Sequence, residues 1–323
     1  MKRILTFAAL IHLGLCSQTF AATEEDQGKI EGTVGIGMIF VTASDNLDTK
    51  ASKKWSEGLD QEADRQSYAL PFVMPDLKYD IGAPAGAKLY LNTKPPIDDV
   101  GGFAINLGGT LPLAGVGAAD IGVFLTPFDR VWKDPYLTEV GREATSSAKF
   151  GAKAGLARMF GTDLALTAVY MNHQVDDDVI GRLQPDLARD GAVYALVAEY
   201  ELLASRSWGL QPRLTASKGE YDGESNSFVK GRIELEGRYS RERLTLLPQV
   251  FYSHATYDKI DPIFSETRQN DGYGAMLIVS YASPFQLERW ALQGLAGYSR
   301  GESNITFYDT EAVSAGIFMT YRL

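Results

Sequence analysis

The sequence predicts an all-β protein: a transmembrane, antiparallel, up-and-down β-barrel of about fourteen strands, with twelve or sixteen as the neighbouring counts. Three observations predict it. The first is the stretch FVKGRIELEGRY at 228–239, where Val229, Gly231, Ile233, Leu235, Gly237 and Tyr239 alternate with Phe228, Lys230, Arg232, Glu234, Glu236 and Arg238. Successive strand side chains point to opposite faces, so one face is apolar and the other is crowded with charge. A soluble sandwich turns such a charged face to bulk water, whereas a membrane barrel turns the apolar face to lipid and the polar one inward. The second is that this alternation recurs along nearly the whole chain, with Tyr and Trp near strand ends. The third is an N-terminus that reads as a cleaved signal peptide: Lys2 and Arg3, an apolar run at 4–15, then Thr19-Phe20-Ala21.

The expected domains are a signal peptide at 1–21 and a barrel at 22–323. Cys16 invites a lipoprotein reading, but Leu15 precedes it where that signal requires a small residue. Cys16 is the only cysteine, so cleavage leaves no thiol, disulfide or Cys-based metal site. Of the 31 Lys and Arg, Lys2 and Arg3 leave with the signal; the remaining 29 face 41 Asp and Glu, a net charge of −12. That balance argues against nucleic acid or anionic lipid as the main partner. Beyond the signal no apolar run reaches about 18 residues, so membrane crossing falls to strands closed on themselves.

Strand one covers 28–42, with Ile30, Gly32, Val34, Ile36, Met38 and Phe40 on the apolar face, and a polar loop follows at 43–66. Strand two, 67–81, changes parity near Pro75-Asp76, where Tyr68, Leu70, Phe72 and Met74 give way to Leu77, Tyr79 and Ile81. A phase slip beside a proline predicts a β-bulge. The turn at 82–86 leads to strand three (87–93), and the loop 94–99 to strand four (100–113). Strand five, 118–128, turns Ile121, Val123 and Leu125 outward; the loop 129–144 carries Trp132 and Tyr136. Strand six, 145–160, opposes Lys149 and Lys153 to Phe150, Ala152, Ala154 and Leu156. Strand seven is 163–175, with an acidic loop at 176–190. Strand eight, 191–203, sets Tyr194, Leu196 and Tyr200 against Glu199 and Glu201. Strand nine, 209–221, aligns Gln211, Arg213, Thr215 and Ser217 on one face. Strand ten is the opening stretch, and strands eleven to fourteen are 243–257, 271–282, 290–301 and 310–323.

Short turns alternate with long loops, which puts the termini at the periplasmic rim and the long loops outside the cell. The last strand alternates Val313, Ala315, Ile317, Met319, Tyr321 and Leu323. It resembles the terminal signature that the outer-membrane assembly machinery recognises, with Leu323 where that signature usually has Phe. The implied location is the cell outer membrane.

A charge inside a barrel is paired or wet. The expected pore-lining residues are Lys149, Lys153, Glu199, Glu201, Arg213, Lys230, Arg232, Glu234, Glu236 and Arg238. Depth counted from the turns predicts a Glu199–Arg213–Glu236 ladder across three neighbouring strands. The expected function is a passive, porin-like channel for small hydrophilic solutes. The alternative is a closed structural barrel whose outer loops mediate surface interaction or envelope integrity. A hydrophobic-substrate transporter ranks third, because 22–27 is too short for a plug and the inward set is charged. Expected partners are outer-membrane lipid and lipopolysaccharide, the assembly machinery and small polar solutes, for a monomer.

No enzyme, cofactor or metal is expected. Only His173 and His254 follow the signal. Ser253 adjoins His254 but points to the opposite face, and His173 beside Asp176, Asp177 and Asp178 reads as a polar rim residue. The acidic run lacks the Asp-x-Asp-x-Asp-Gly spacing of a cation loop. Glycine-rich stretches at 28–37 and 101–109 precede no helix, so they form no phosphate loop. Trp55, Trp132 and Tyr136 serve either a surface ligand or loop packing.

Four strings carry a resemblance: Trp132-Lys133-Asp134-Pro135-Tyr136, Ala188-Arg189-Asp190-Gly191, Asp261-Pro262-Ile263-Phe264 with Thr267-Arg268, and Asn304-Ile305-Thr306-Phe307-Tyr308-Asp309. They are similar to an uncharacterised gammaproteobacterial family that carries only a domain-of-unknown-function label. The resemblance implies a shared barrel fold and an envelope location, and brings no substrate or catalytic residue.

Overall fold

A computed structural model describes residues 30–56, 58–82 and 86–323. The signal at 1–21 with Cys16, the short 22–27 lead, the start of strand one and the middle of the 82–86 turn lie outside the described residues. Among the described residues the strands form one antiparallel ring. They are β1 (Ile30–Ser44), β2 (Gln66–Gly82), β3 (Ala87–Asn92), β4 (Ile105–Leu113), β5 (Gly117–Trp132), β6 (Ala144–Ala157) and β7 (Leu164–Val175). Then come β8 (Gly191–Tyr200), β9 (Trp208–Tyr221), β10 (Phe228–Arg241), β11 (Leu244–Asp261), β12 (Glu266–Ala282), β13 (Trp290–Ser303) and β14 (Thr310–Arg322). The pair Leu203–Ala204 prolongs β8 beside β9. With it counted there, the barrel has fourteen strands, closed where Val34 of β1 faces Tyr321 of β14.

The outward face is apolar, as alternation requires: Ile36, Phe40, Val123, Leu196, Ile233 and Val250 are all exposed. Aromatic girdles bracket it. Towards the short turns Trp208 stacks on Tyr239 at 4.5 Å and Trp290 on Tyr321 at 5.0 Å. Towards the long loops Tyr170 meets Tyr194 at 5.5 Å, with Tyr252, Tyr273 and Tyr298 further round.

Strand two corrects the sequence reading. Its register against β1 runs unbroken from Ile30↔Tyr79 to Ala43↔Gln66, with no bulge at Pro75. Val73, Tyr79 and Ile81 face outward, and Leu70, Phe72 and Met74 are buried inside the barrel. The strand is apolar on both faces, so the hydrophobic pattern there cannot report parity. The interior it faces is a packed cluster of Ile39, Val41, Phe72, Met74, Ile278, Leu295 and Phe318. Strand four also starts later than expected, at Ile105, because 98–100 forms a 3-10 turn. The expected loop at 258–270 is largely strand, since β11 runs to Asp261 and β12 starts at Glu266.

Candidate functional site

The segment 93–104 crosses the lumen. β3 and β4 end far below the tops of their neighbours, and Asn106 ties the two ends together. Its Nδ2 donates to Asn92 Oδ1 at 3.1 Å and to the Lys94 carbonyl at 2.5 Å. The 3-10 turn Asp98–Val100 closes on Gly101, whose φ of 105° favours glycine. The turn's apolar side, Ile97, Val100 and Ala104, packs on Phe124, Val169 and Val193 of the inner wall.

Its acidic side reaches β10, seven strands round the ring from β3. Lys230 Nζ lies 2.9 Å from Asp98 Oδ2 and also bonds Asp99. Burial pushes the Asp99 carboxyl up, and the Lys230 charge opposes that. Arg232 lies 3.7 Å from Asp98, 2.7 Å from Glu234 and 3.6 Å from the Phe251 ring. Lys149 Nζ donates to the Asp99 carbonyl at 3.1 Å, and Arg213 Nη2 to the Pro96 carbonyl at 2.7 Å. A buried charge pair resists separation, because losing one partner strands the other charge.

All ten expected lumen charges lie on the inner side or its short-turn rim, yet the expected ladder forms only in half. Arg213 Nε sits 3.4 Å from Glu199 Oε1, but its partner in the β10 register is Glu234. Glu236 stands opposite Gln211 and lies 3.8 Å from Lys94 of the inserted segment. Depth counted from turns ignores the stagger that closes a barrel. Lys153 pairs with Asp120 at 2.9 Å, and Tyr90 donates to the same carboxylate at 2.6 Å. Glu201 and Arg238 line a cavity of about 90 Å³ near the short turns, with Glu236, Gln249, Leu247 and Met276.

The outer loops form a packed cap. Arg142 is buried and donates to the carbonyls of Asn46 (3.0 Å), Pro135 (3.2 Å) and Lys53, with its guanidinium 4.6 Å from the Trp132 ring centre. Trp132 Nε1 donates to Ser52 Oγ at 3.0 Å. Tyr136 and Tyr308 share a 2.7 Å hydrogen bond, and Tyr308 donates to Asp261 at 2.5 Å. Burial pushes the Tyr136 hydroxyl up to about 12. Arg189 bonds Asp178 at 2.6 Å and the Trp132 carbonyl at 2.8 Å; Arg268 stacks on Tyr257 and Tyr308. The four resembling strings thus meet in space. Trp132 and Tyr136 serve loop packing, while Trp55 is exposed.

The acidic run is engaged by cations of the chain itself. Asp177 bonds Lys133 and Arg182, which hold its carboxyl below the usual range, and Asp178 caps the helix Val179–Leu183 besides holding Arg189. His173 is half-buried on the inner wall, 2.8 Å from Ser147 Oγ. That pairing links β6 to β7 and has no local sequence signal. His254 bonds Asp271 at 2.9 Å on the exposed face. At the C-terminus Tyr321 packs on Trp290, and Leu323 N donates to the Gly32 carbonyl at 3.1 Å.

Comparison with known proteins returns barrels of the same class. An outer-membrane channel from Pseudomonas putida F1 is 12% identical, with 94% of this chain and 100% of that chain covered and a TM-score of 0.46. An anion-selective porin from Comamonas acidovorans is 11% identical over 92% of this chain and 99% of that chain, with a TM-score of 0.44. A Pseudomonas aeruginosa FadL homologue is 14% identical over 91% of this chain and 90% of that chain, with a TM-score of 0.40. No curated protein matches the sequence. The model of one family, described as protein of unknown function (DUF2860), matches residues 30–322, nearly the whole described barrel, and this chain belongs to that family.

Proposed function

We propose that the protein is an outer-membrane barrel, exported with loss of 1–21, whose lumen the segment 93–104 closes to hydrophilic solutes at rest. The observation that carries this reading is Lys230 bridging Asp98 and Asp99 from the opposite wall. A passive porin-like channel for small polar solutes needs a wet inward face on β10. There Arg232 and Glu234 are buried and paired, which favours the closed alternative. The cavity at the short-turn end, with Glu236, Arg238 and Gln249 beside Leu247 and Met276, favours a gate over a solid plug, since it leaves space beneath the segment. Solutes then pass only when 93–104 leaves the lumen. Outer-membrane lipid and lipopolysaccharide surround this monomer, and its last strand, ending in Tyr321 and Leu323, engages the assembly machinery.

The test is single-channel conductance of the refolded mature chain in planar bilayers at several salt concentrations. The wild type stays silent, and Lys230→Ala with Arg232→Ala conducts steadily in proportion to salt. A steadily conducting wild type overturns the closed lumen and restores the passive channel.

A further inference from the structure

The barrel wall is incomplete on one side. β3 pairs with β2 only from Asp76 downward, and β4 pairs with β5 only up to Leu125. Among the described residues, nothing pairs as a strand with 66–75 of β2 on the side away from β1. On the β4 side of β5 the stretch 126–130 has no ladder partner among the described residues, and the loop residue Asp48 bridges Val131 above it. Unpaired strand edges facing hydrocarbon are costly. Pro71, Pro75 and Pro127 lie on these two edges, the strand positions where a residue without an N–H is tolerated.

The gap opens at the depth of lipid chains. Val73 and Pro71 stand opposite Ile36 and Met38 in the β1 ladder, with Phe40 one pair further out, and all three β1 side chains are exposed and apolar. Between the two edges is a cavity of about 210 Å³, lined by Pro71, Phe72, Val73, Val100, Phe103 and Pro127, with Thr126 and Asp129 as its polar groups on the β5 side. An apolar cavity of about 150 Å³ already takes up benzene.

Behind the cavity the side chains are packed in contact. Phe103 meets Phe72 at 5.1 Å and Phe72 meets Phe318 at 6.5 Å. Beyond them Met74, Leu295 and Ile278 fill the interior as far as Leu247 and Met276, so this packing floors the cavity. We infer that the gap between β2 and β5 is a lateral window that admits a single-chain amphiphile, a free acyl chain with a small polar head, from the outer half of the membrane into this cavity. The cavity's volume of about 210 Å³ suits one chain rather than two, and the Phe72–Phe103 contact closes it inward.

The inference rests on the membrane placement proposed above and is independent of ionic conductance. The folded mature barrel in lipid nanodiscs is irradiated with diazirine-tagged palmitate, and labelled residues are mapped by peptide mass spectrometry. Palmitate labels Phe72, Val100 and Phe103, which line the cavity. Val73→Trp, on the lipid side of the mouth, lowers this inner label roughly tenfold, a change worth about 1.4 kcal/mol of binding, and leaves label on Ile36 and Val250 unchanged. Wild-type label confined to lipid-facing residues overturns the window, as does inner label indifferent to Val73→Trp in a folded barrel. Equal inner label from a two-chain diazirine phosphatidylcholine overturns the single-chain occupant. A conducting wild type with inner label overturns the closed lumen and leaves the window standing.

Discussion

The two halves of the lumen are held by different physics. Along β1, β2 and β12–β14 the interior is packed hydrocarbon: Ile39, Phe72, Met74, Leu295 and Phe318. Across from it, β6, β9 and β10 grip the inserted segment through Lys149, Arg213, Lys230 and Arg232. Apolar packing is non-directional and nearly indifferent to salt, whereas a buried ion pair holds one geometry and fails abruptly when one partner goes. The difference assigns movement to the polar half and a fixed wall to the apolar half.

The strongest way to break that contrast is Lys230→Ala. Asp98 and Asp99 lose the ammonium that faces them, and stability falls by about 3–5 kcal/mol, read from urea unfolding in vesicles. Conductance appears at the same time. A drop under about 1 kcal/mol with continued silence shows that the segment is held by its apolar side, Ile97 and Val100, instead.

Met74→Ala is the matching cut in the apolar half. Met74 is 1% exposed, and its loss leaves a cavity costing about 2–4 kcal/mol. Here the barrel stays silent in the bilayer, and the change in stability is the same at low and high salt. Conductance in this variant as strong as in Lys230→Ala erases the distinction between the halves.

The contrast was half legible in the sequence. The charged face of 228–239 was plain from alternation, and the structure puts β10 at Phe228–Arg241 with Lys230, Arg232 and Glu234 inward. The apolar half hid itself: with Ile36 and Phe40 outward and Ile39 and Val41 inward, periodicity loses its meaning on β1 and its neighbour. The segment 94–99 read as an ordinary outer loop because the partner of Asp98 lies 132 residues further along the chain. Its one local clue was the short strand before it, seven residues as read and six as formed. The window is likewise a consequence of where two ladders stop, and the one proline read there, Pro75, pointed to a bulge rather than to an open edge. The Ser147–His173 contact depends on register between β6 and β7, which alternation alone does not set.

The cap sharpens the comparison from above, because it mixes both kinds of contact. Tyr308→Phe removes the hydroxyl that bonds Asp261 and Tyr136 and keeps the ring that packs on Phe264 and Phe307. The loss is about 1–2 kcal/mol, seen as faster proteolysis of the outer loops while the strands stay folded. An equal loss from the strands places the cap and the wall in one cooperative unit.

The smallest effect is a pH dependence of the cap alone. Burial, reinforced by Asp45, raises the Asp48 carboxyl from 3.8 to about 7, although Lys50 N–H and the Lys50 charge oppose the shift. Asp45 is raised in the same direction, again chiefly by burial. A carboxyl whose folded value lies above its unfolded one binds more protons in the folded state between the two. Its stabilising contribution is therefore full below about 3.8 and lost as pH rises to about 7. Acidification from pH 7.5 to 5 then tightens the loop at 45–52, and its amide hydrogens exchange more slowly after correction for intrinsic rates. Lys50, lowered to about 8 by burial, titrates above this window and leaves its sign unchanged. Asp48→Asn flattens the response, while the packed β1–β2 wall shows none in either form. A response shared by the wall transfers the pH sensitivity from the cap carboxyls to the barrel as a whole.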